Sequence, residues 1–195
     1  MLKRVMLSTL IIVAGIFSEA ASAKYAHHGS AAIGQHAPPA ETLTLTGAEV
    51  TVAFSPNGDA TDVAVKAING AKKQVLVQAY GFTSAPIIKA LGEAKARGIE
   101  VQAILDKSNE SARYSGATYL RNHNIPVWID DSVAIAHNKV MIIDGDAVIT
   151  GSFNFTQSAQ KRNAENILFL AHVPALAKLY SKDWMWRKGL SHAYR

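Results

Sequence analysis

Hydrophobic positions in this chain repeat with two different periods, which predict strands and helices in alternation. Apolar and polar side chains that switch at every residue indicate a strand, whereas apolar positions three and four residues apart indicate a helix. Strands are predicted over residues 49–54, 74–80, 99–106, 126–130 and 166–171. Helices are predicted over residues 60–69, 86–97, 111–122 and 174–190, with a helical turn over 156–161.

A β-hairpin is predicted in the second half of the chain. Its arms, Val140–Ile143 and Ala147–Thr150, are apolar and rich in β-branched residues, as strands prefer. Gly145 accepts a positive φ without strain. A two-residue loop can therefore form from Gly145 with Asp146 after it, or with Asp144 before it.

Four polar residues gather at the open end of one face of this hairpin. Side chains alternate between faces along a strand, and the Gly145-Asp146 loop places Lys139 opposite Ser152 and His137 opposite Asn154. The other loop keeps the same faces. The lysine, serine and asparagine can donate hydrogen bonds to an anion, and the imidazole can attack it or move protons. The hairpin therefore predicts an anion site with a reactive histidine.

The order of the elements indicates an α/β fold with a mixed β-sheet flanked by helices on both faces. The hydrophobic content of 49% is sufficient for a globular core. The chain has no cysteine, which excludes disulfides, cysteine-ligated zinc and a thiol nucleophile. The formal net charge of +5 is mildly basic and fits a polyanionic substrate without requiring one.

Three segments are expected along the chain. Residues 1–23 have the features of a signal peptide: basic residues at its start, an apolar run over Val5–Phe17, and Ala21-Ser22-Ala23 as the cleavage site. Cleavage after Ala23 would place the protein in the periplasm or outside the cell, and the alternative is an uncleaved anchor. Residues 24–46 are expected to form a flexible leader, and residues 47–195 the folded domain.

The spacing of the hairpin residues resembles a known catalytic motif. His137, Lys139 and Asp144 follow the pattern H-x-K-x4-D. Gly151-Ser152-x-Asn154 and Glu165 follow at the positions expected for the HKD motif of the phospholipase D superfamily. The stretch from about Val50 to Arg187, with Phe54-Ser55-Pro56 and Ala79-Tyr80-x-Phe82-Thr83, is similar to the small Nuc-type bacterial endonucleases. The domain over 47–195 is therefore expected to be a phospholipase D-like nuclease domain.

The resemblance implies a phosphodiesterase and gives each motif residue a role. His137 would be the nucleophile that forms a phosphohistidine, and Lys139, Ser152 and Asn154 would bind the phosphate oxygens. Glu165 would orient the imidazole by accepting a hydrogen bond from its second nitrogen. Asp144 completes the motif, and we interpret it as structural support near the site, since a turn residue that caps the hairpin explains it equally well.

The implied mechanism needs neither a metal nor a cofactor, but it needs two histidines. The side-chain donors can supply the charge stabilisation that metal ions often provide to phosphoryl transfer. The His-x-Lys pattern occurs once in the chain, and no internal repeat supplies a second. The resemblance therefore implies a homodimer whose two hairpins face each other across a two-fold axis. No stable membrane association is expected after signal cleavage.

Nucleic acid is the predicted substrate, cleaved with little sequence specificity because no base-reading helix is recognisable. Basic residues proposed to bind its backbone are Lys72, Lys73, Lys107, Arg113, Lys161 and Arg162. A lipid phosphodiesterase of the phospholipase D type would share the site and differ in the cleft. A noncatalytic nucleic-acid-binding protein would require a disabled site. The predicted substrates include both DNA and RNA.

Overall fold

A computed structural model describes residues 37–111 and 115–195 and places their eight strands in one mixed β-sheet with helices on both faces, as predicted. The strands are β1 (Glu49–Ser55), β2 (Gln74–Ala79), β3 (Glu100–Asp106), β4 (Val127–Asp130), β5 (Lys139–Ile143), β6 (Ala147–Gly151), β7 (Glu165–Ala171) and β8 (His192–Ala193). The helices are α1 (Ala60–Gly70), α2 (Ala85–Ala96), α3 (Ser108–Ser111), α4 (Ala117–Asn122), α5 (Gln157–Arg162) and α6 (Pro174–Leu190).

The predicted helix over 111–122 is the main disagreement in secondary structure. α3 ends at Ser111 and α4 begins at Ala117, with Gly116 immediately before it. Glycine disfavours a continuous helix because its backbone loses more conformational entropy than that of other residues. The other predicted elements agree with the observed ones to within one residue at each end.

The strand order brings several chain segments to one end of the sheet. The order is β1-β7-β6-β5-β2-β3-β4-β8, in which β2, β3 and β4 are parallel neighbours and the other pairs are antiparallel. We call the end at which β2, β3 and β4 finish the carboxyl end. β5 and β7 begin there and β6 finishes there, so the residues flanking these strands meet. Open α/β sheets bind their ligands at this end.

The sheet is buried on both faces, which explains the continuous apolar runs of β2 and β5. α1, α2 and α4 cover one face over a core that includes Ile68, Leu91 and Leu120. α6 covers the other face, where Trp184 is fully buried and donates from Nε1 to the Val77 carbonyl at 2.9 Å. Among the described residues, no helix is both long and apolar enough to cross a bilayer.

The hairpin turn is of the expected kind, but its register is shifted by one residue. Asp144 and Gly145 both have positive φ, 56° and 66°, and the Asp146 amide donates to the Ile143 carbonyl at 3.0 Å. Ile143 pairs with Ala147, so Asp146 is an additional residue beyond the two-residue loop. The predicted pairing of Lys139 with Ser152 and of His137 with Asn154 is therefore wrong.

Candidate active site

Five of the six predicted site residues lie at the carboxyl end of the sheet. Lys139 begins β5 and Glu165 begins β7, two strands that run in the same direction on either side of β6. Ser152 and Asn154 follow the end of β6, and His137 lies two residues before β5. The adjacency of β5, β6 and β7 thus brings together residues that are up to 28 positions apart in sequence.

A β-bulge redirects the chain where β6 reaches the site. The amides of Ser152 and Phe153 both donate to the Asn166 carbonyl, at 3.1 and 3.0 Å, so two residues oppose one. Gly151 precedes the bulge with φ of 145°, and a Cβ there would lie 2.4 Å from the Asn166 carbonyl oxygen. Only glycine allows β6 and β7 to approach this closely.

Lys139 is a buried cation at the centre of this group. It is 7% exposed, and its Nζ donates to the His137 carbonyl at 2.7 Å and lies 5.3 Å from the centroid of the Tyr80 ring. Burial lowers the pKa of the Lys139 ammonium, and the charge of Glu165 opposes this only in part. An anion bound beside Lys139 would therefore compensate a charge that the protein itself leaves incompletely neutralised.

The imidazole of His137 is exposed. Its ring packs against Tyr80, with 4.8 Å between ring centroids, and neither ring nitrogen hydrogen-bonds to another described residue. The backbone on both sides is fixed: the Ala136 amide donates to Asp106 Oδ2 at 2.8 Å, and the Asn138 carbonyl accepts from the Tyr80 amide at 2.9 Å. The backbone rather than the ring is thus held in place.

The hydrogen bond expected between Glu165 and His137 is not formed in this structure. Glu165 is half-buried, and its Oε1 accepts from Asn163 Nδ2 at 3.1 Å. The Asn163 carbonyl in turn accepts from the Ser55 hydroxyl at 3.0 Å, which anchors the segment to β1. In this structure Glu165 therefore stabilises the positive charge of Lys139. Contacts other than Glu165 orient the imidazole.

Ser152 and Asn154 supply polar groups on the other side of the site. Ser152 is exposed, its amide donates to Asn166 Oδ1 at 2.9 Å, and its hydroxyl oxygen accepts from the Asn166 amide at 3.1 Å. The hydroxyl hydrogen remains available to a ligand. Asn154 Oδ1 is buried without a hydrogen-bond partner among the described residues, and a Cβ on Gly81 would lie 3.4 Å from it. Asn154 thus lies directly beside the Tyr80-Gly81 segment.

Asp144 lies at the opposite end of the sheet, and its expected place near the site is wrong. Its carboxylate accepts from the backbone amides of Lys72, Lys73 and Gln74 at 2.8, 2.7 and 2.9 Å. Burial raises the pKa of Asp144, but these three amides and the Lys73 charge outweigh burial and hold the pKa below its ordinary value. Asp144 is therefore a structural residue that ties the hairpin turn to the start of β2.

The predicted basic surface is divided between the two ends of the sheet. Lys107 follows β3, and Lys161 and Arg162 end α5 just before Glu165, so these three lie at the carboxyl end. Lys72 and Lys73 flank the Asp144 turn at the opposite end, and their assignment to the same surface is wrong. Arg113 lies outside the described residues, as do residues 1–36, which include the predicted signal peptide.

Sequence reasoning missed Tyr80 and Asp106 as residues that shape the site. Tyr80 directly follows β2 and contacts both His137 and Lys139. Asp106 ends β3, and Asn109 supports the same region by donating from Nδ2 to the Tyr80 carbonyl at 2.7 Å. Their position at the carboxyl ends of parallel strands was the available signal, because side chains at such positions line ligand sites.

Comparisons with known proteins agree with this geometry. The profile of the family described as "Cardiolipin synthase, PLD-like domain" matches residues 64–186, which include all five residues gathered at the site. The protein named Phospholipase D of Rickettsia prowazekii is 42% identical over 149 residues, which cover 76% of this chain and 72% of the relative. The mitochondrial cardiolipin hydrolase of Xenopus laevis is 31% identical over 121 residues, 61% of this chain and 57% of the relative.

Two solved structures share the fold over nearly their whole length. Nuc from Salmonella typhimurium, described as a phospholipase D family member, superposes with a TM-score of 0.74 at 37% identity and covers 76% of this chain and 99% of its own. NucT from Helicobacter pylori has a TM-score of 0.69 at 23% identity, covers 75% of this chain and 99% of its own, and supports the fold alone. The matched residues, the fold and the HKD-type site together show that this chain belongs to the phospholipase D superfamily.

Proposed function

We propose that this protein is a metal-independent endonuclease that hydrolyses phosphodiester bonds of nucleic acid with little sequence preference. Membership of the superfamily supports a hydrolase of phosphodiester bonds, and the proposal concerns its substrate and mechanism. The observation that carries it is the exposed His137 imidazole, beside the buried ammonium of Lys139 and the polar groups of Ser152 and Asn154.

The reaction would proceed in two displacements at phosphorus. A ring nitrogen of His137 attacks phosphorus, a phosphorus–nitrogen bond forms, and the bond to the leaving oxygen breaks as a second histidine protonates that oxygen. The second histidine then removes a proton from water, the water oxygen attacks phosphorus, and the bond to His137 breaks. The phosphate ends bearing the added oxygen, and both histidines return to their starting state.

Charge on the phosphate oxygens would be stabilised by side chains. Phosphoryl transfer depends chiefly on positioning and on stabilising the equatorial oxygens. The Lys139 ammonium provides a full positive charge, which burial keeps poorly solvated. Ser152 and Asn154 add hydrogen-bond donors from the other side. In a dimeric site each of these donors would be present twice, which supports activity without a metal ion.

A second copy of the chain would supply the second histidine. The exposed side chains of Val50, Val52 and Phe54 form an apolar stripe on β1, an edge strand of the sheet, with 53%, 49% and 63% exposure. Phe54 pairs with Asn166, so the stripe ends beside the site. An edge strand of this kind, without lysine or proline, usually pairs or is covered. An isologous dimer that covers the stripe would bring His137 of the partner subunit toward the site.

A lipid phosphodiesterase is the second candidate, because relatives at up to 42% identity carry the name Phospholipase D. Nucleic acid is favoured by the basic residues at the carboxyl end and by the resemblance of the sequence to the small Nuc-type bacterial endonucleases. The signal sequence predicted at the N-terminus would direct the enzyme to the periplasm or the medium, where an unspecific nuclease does not meet the chromosome of its own cell.

One assay distinguishes these candidates. Plasmid, single-stranded DNA, RNA and vesicles of cardiolipin or phosphatidylcholine are incubated with the purified protein in excess EDTA, with the His137→Ala variant as control. We expect cleavage of nucleic acid that falls steeply with salt and is absent in the variant. Cleavage of lipid alone would favour the second candidate. Binding of DNA without cleavage, unchanged in the variant, would indicate a noncatalytic protein, and strict dependence on Mg²⁺ would refute metal independence.

A further inference from the structure

The loop that carries His137 is fastened by two buried carboxylates at the ends of adjacent strands. Asp130 ends β4, and its Oδ1 accepts from the amide and hydroxyl of Ser132 at 3.2 and 2.7 Å. Asp106 ends β3, and its Oδ2 accepts from the Ala136 amide at 2.8 Å. The loop between β4 and β5 is therefore held near its start by Asp130 and directly before His137 by Asp106.

Asp106 is buried, and its contacts are with the backbone of its own loop and of the loop that carries His137. It is 3% exposed, and its second oxygen, Oδ1, accepts from the Ser108 amide at 2.9 Å. Both carboxylate oxygens therefore accept backbone hydrogen bonds. Burial raises the pKa of Asp106, but hydrogen bonds from Ser108 and Ala136 and the charge of Lys107 outweigh burial and hold the pKa below its ordinary value. The carboxylate is thus ionised and accepts strong hydrogen bonds at neutral pH.

Lys107 strengthens the same attachment. Its Nζ donates to the Val133 carbonyl at 3.2 Å, so the residue after Asp106 also holds the loop. The contacts of Asp106 and Lys107 link the end of β3 to two positions of one loop, one and four residues before His137. The His137 ring itself has no hydrogen bond that would fix it to the described residues. The position of the reactive nitrogen therefore depends on where the backbone is held.

We propose that Asp106 is a positioning residue for the nucleophile: through the Ala136 amide it fixes the peptide unit that presents His137 to phosphorus. This inference rests on the nucleophilic role proposed for His137. In-line attack requires the reacting atoms at about 3–3.5 Å, and an error of about 1 Å reduces the rate by roughly 100-fold. A charge-assisted hydrogen bond from a buried carboxylate is a suitable means of holding a backbone to that tolerance.

The test compares two isosteric variants in the full-length protein. Asp106→Asn keeps the size of the side chain, but one amide group cannot accept from both the Ser108 and the Ala136 amides. Asp144→Asn is the matched control, because Asp144 also binds backbone amides but lies at the opposite end of the sheet. For each variant we would measure the melting temperature, kcat, KM, and hydrogen exchange of the Ala136 amide.

Both variants should lose stability, but only Asp106→Asn should lose catalytic rate. Asp106→Asn should lower kcat by roughly 10- to 100-fold, change KM by less than about threefold, and accelerate exchange of the Ala136 amide. Asp144→Asn should leave kcat and Ala136 exchange as in the wild type. The inference is overturned if Asp106→Asn folds and retains wild-type kcat, or if both variants lose kcat in proportion to stability.

The same set of measurements separates this inference from the proposed function. Full activity of His137→Ala would show that His137 is not the nucleophile, and the positioning role would fall with it. Inactivity of His137→Ala together with full activity of Asp106→Asn would leave the proposed function intact and refute only the positioning role. Activity is measured on whichever phosphodiester the wild type cleaves, so the comparison does not depend on the choice between nucleic acid and lipid.

Discussion

Replacing Lys139 by methionine should make the protein more stable and nearly inactive at the same time. Methionine is also unbranched and fits the buried position, but it removes the ammonium that is 7% exposed. Burial lowers the pKa of Lys139 despite the opposing charge of Glu165, so we expect the charge to disfavour folding and to serve the site. A residue that is retained against folding stability in this way is expected where function requires it.

The magnitude follows from two opposing terms. The variant loses the hydrogen bond from Nζ to the His137 carbonyl, worth about 1 kcal/mol. It also removes a desolvated charge whose effective penalty is about 2 kcal/mol or more. We therefore expect a net gain of about 1 kcal/mol in the free energy of unfolding at pH 7. Loss of a preorganised donor to the reacting phosphate should lower kcat by about 10²–10³-fold.

The stability difference between Lys139→Met and wild type should depend on pH. The charged form of Lys139 is less stable in the folded state than in the unfolded state. The free energy of unfolding of wild type is therefore reduced at every pH below the depressed folded pKa. The penalty disappears as pH rises from that folded pKa toward the unfolded value of 10.5. The advantage of Lys139→Met in urea denaturation should therefore be largest at neutral pH and shrink as the solution becomes alkaline.

Urea denaturation at pH 7 and at alkaline pH, together with kcat and KM, would decide the matter. Lys89→Met is the matched control, because Lys89 is an exposed residue of α2 and its loss should change stability by less than about 0.5 kcal/mol. A Lys139→Met protein that is less stable than wild type at pH 7 would show that the buried charge does not oppose folding, and one that retains wild-type kcat would show that the charge is not needed for catalysis.

Two further variants test the structural assignments. Asp144→Asn should lower the free energy of unfolding by about 1–3 kcal/mol in urea denaturation, because three backbone amides lose a charged acceptor. Because the folded pKa of Asp144 is depressed, wild type should keep this advantage above the unfolded pKa and lose it as pH falls through the folded pKa. Phe54→Lys should produce a folded monomer in analytical ultracentrifugation with greatly reduced activity, since Phe54 is 63% exposed on the proposed interface. A variant that remains dimeric would exclude this stripe as the interface.

Local patterns predicted the elements and most of the site, because both depend on short-range signals. α6 spans Pro174–Leu190 as predicted, since proline at the first position and apolar periodicity are properties of that segment alone. The meeting of His137, Lys139 and Glu165 followed from the motif spacing, and the order of β5, β6 and β7 explains it physically.

Features that depend on distant partners could not be predicted from the sequence. The additional hairpin residue, Asp146, is held by contacts from the chain after β7: its carbonyl accepts from the Val173 amide at 2.8 Å, and its carboxylate pairs with His172 at 3.4 Å. The position of Asp144 relative to the site likewise depends on the loop before β2. The role proposed for Asp106 depends on the end of β3 lying beside the loop that carries His137, which the sequence alone does not show.

The proposed active site is built from His137 of both subunits, and a purified heterodimer is the decisive test of this arrangement. Differently tagged wild-type and His137→Ala chains would be coexpressed, the heterodimer isolated, and its specific activity compared with that of the wild-type homodimer. A shared site has lost either its nucleophile or its general acid, so we predict less than about one hundredth of wild-type activity. Half of wild-type activity would show that each subunit works alone and would contradict the account.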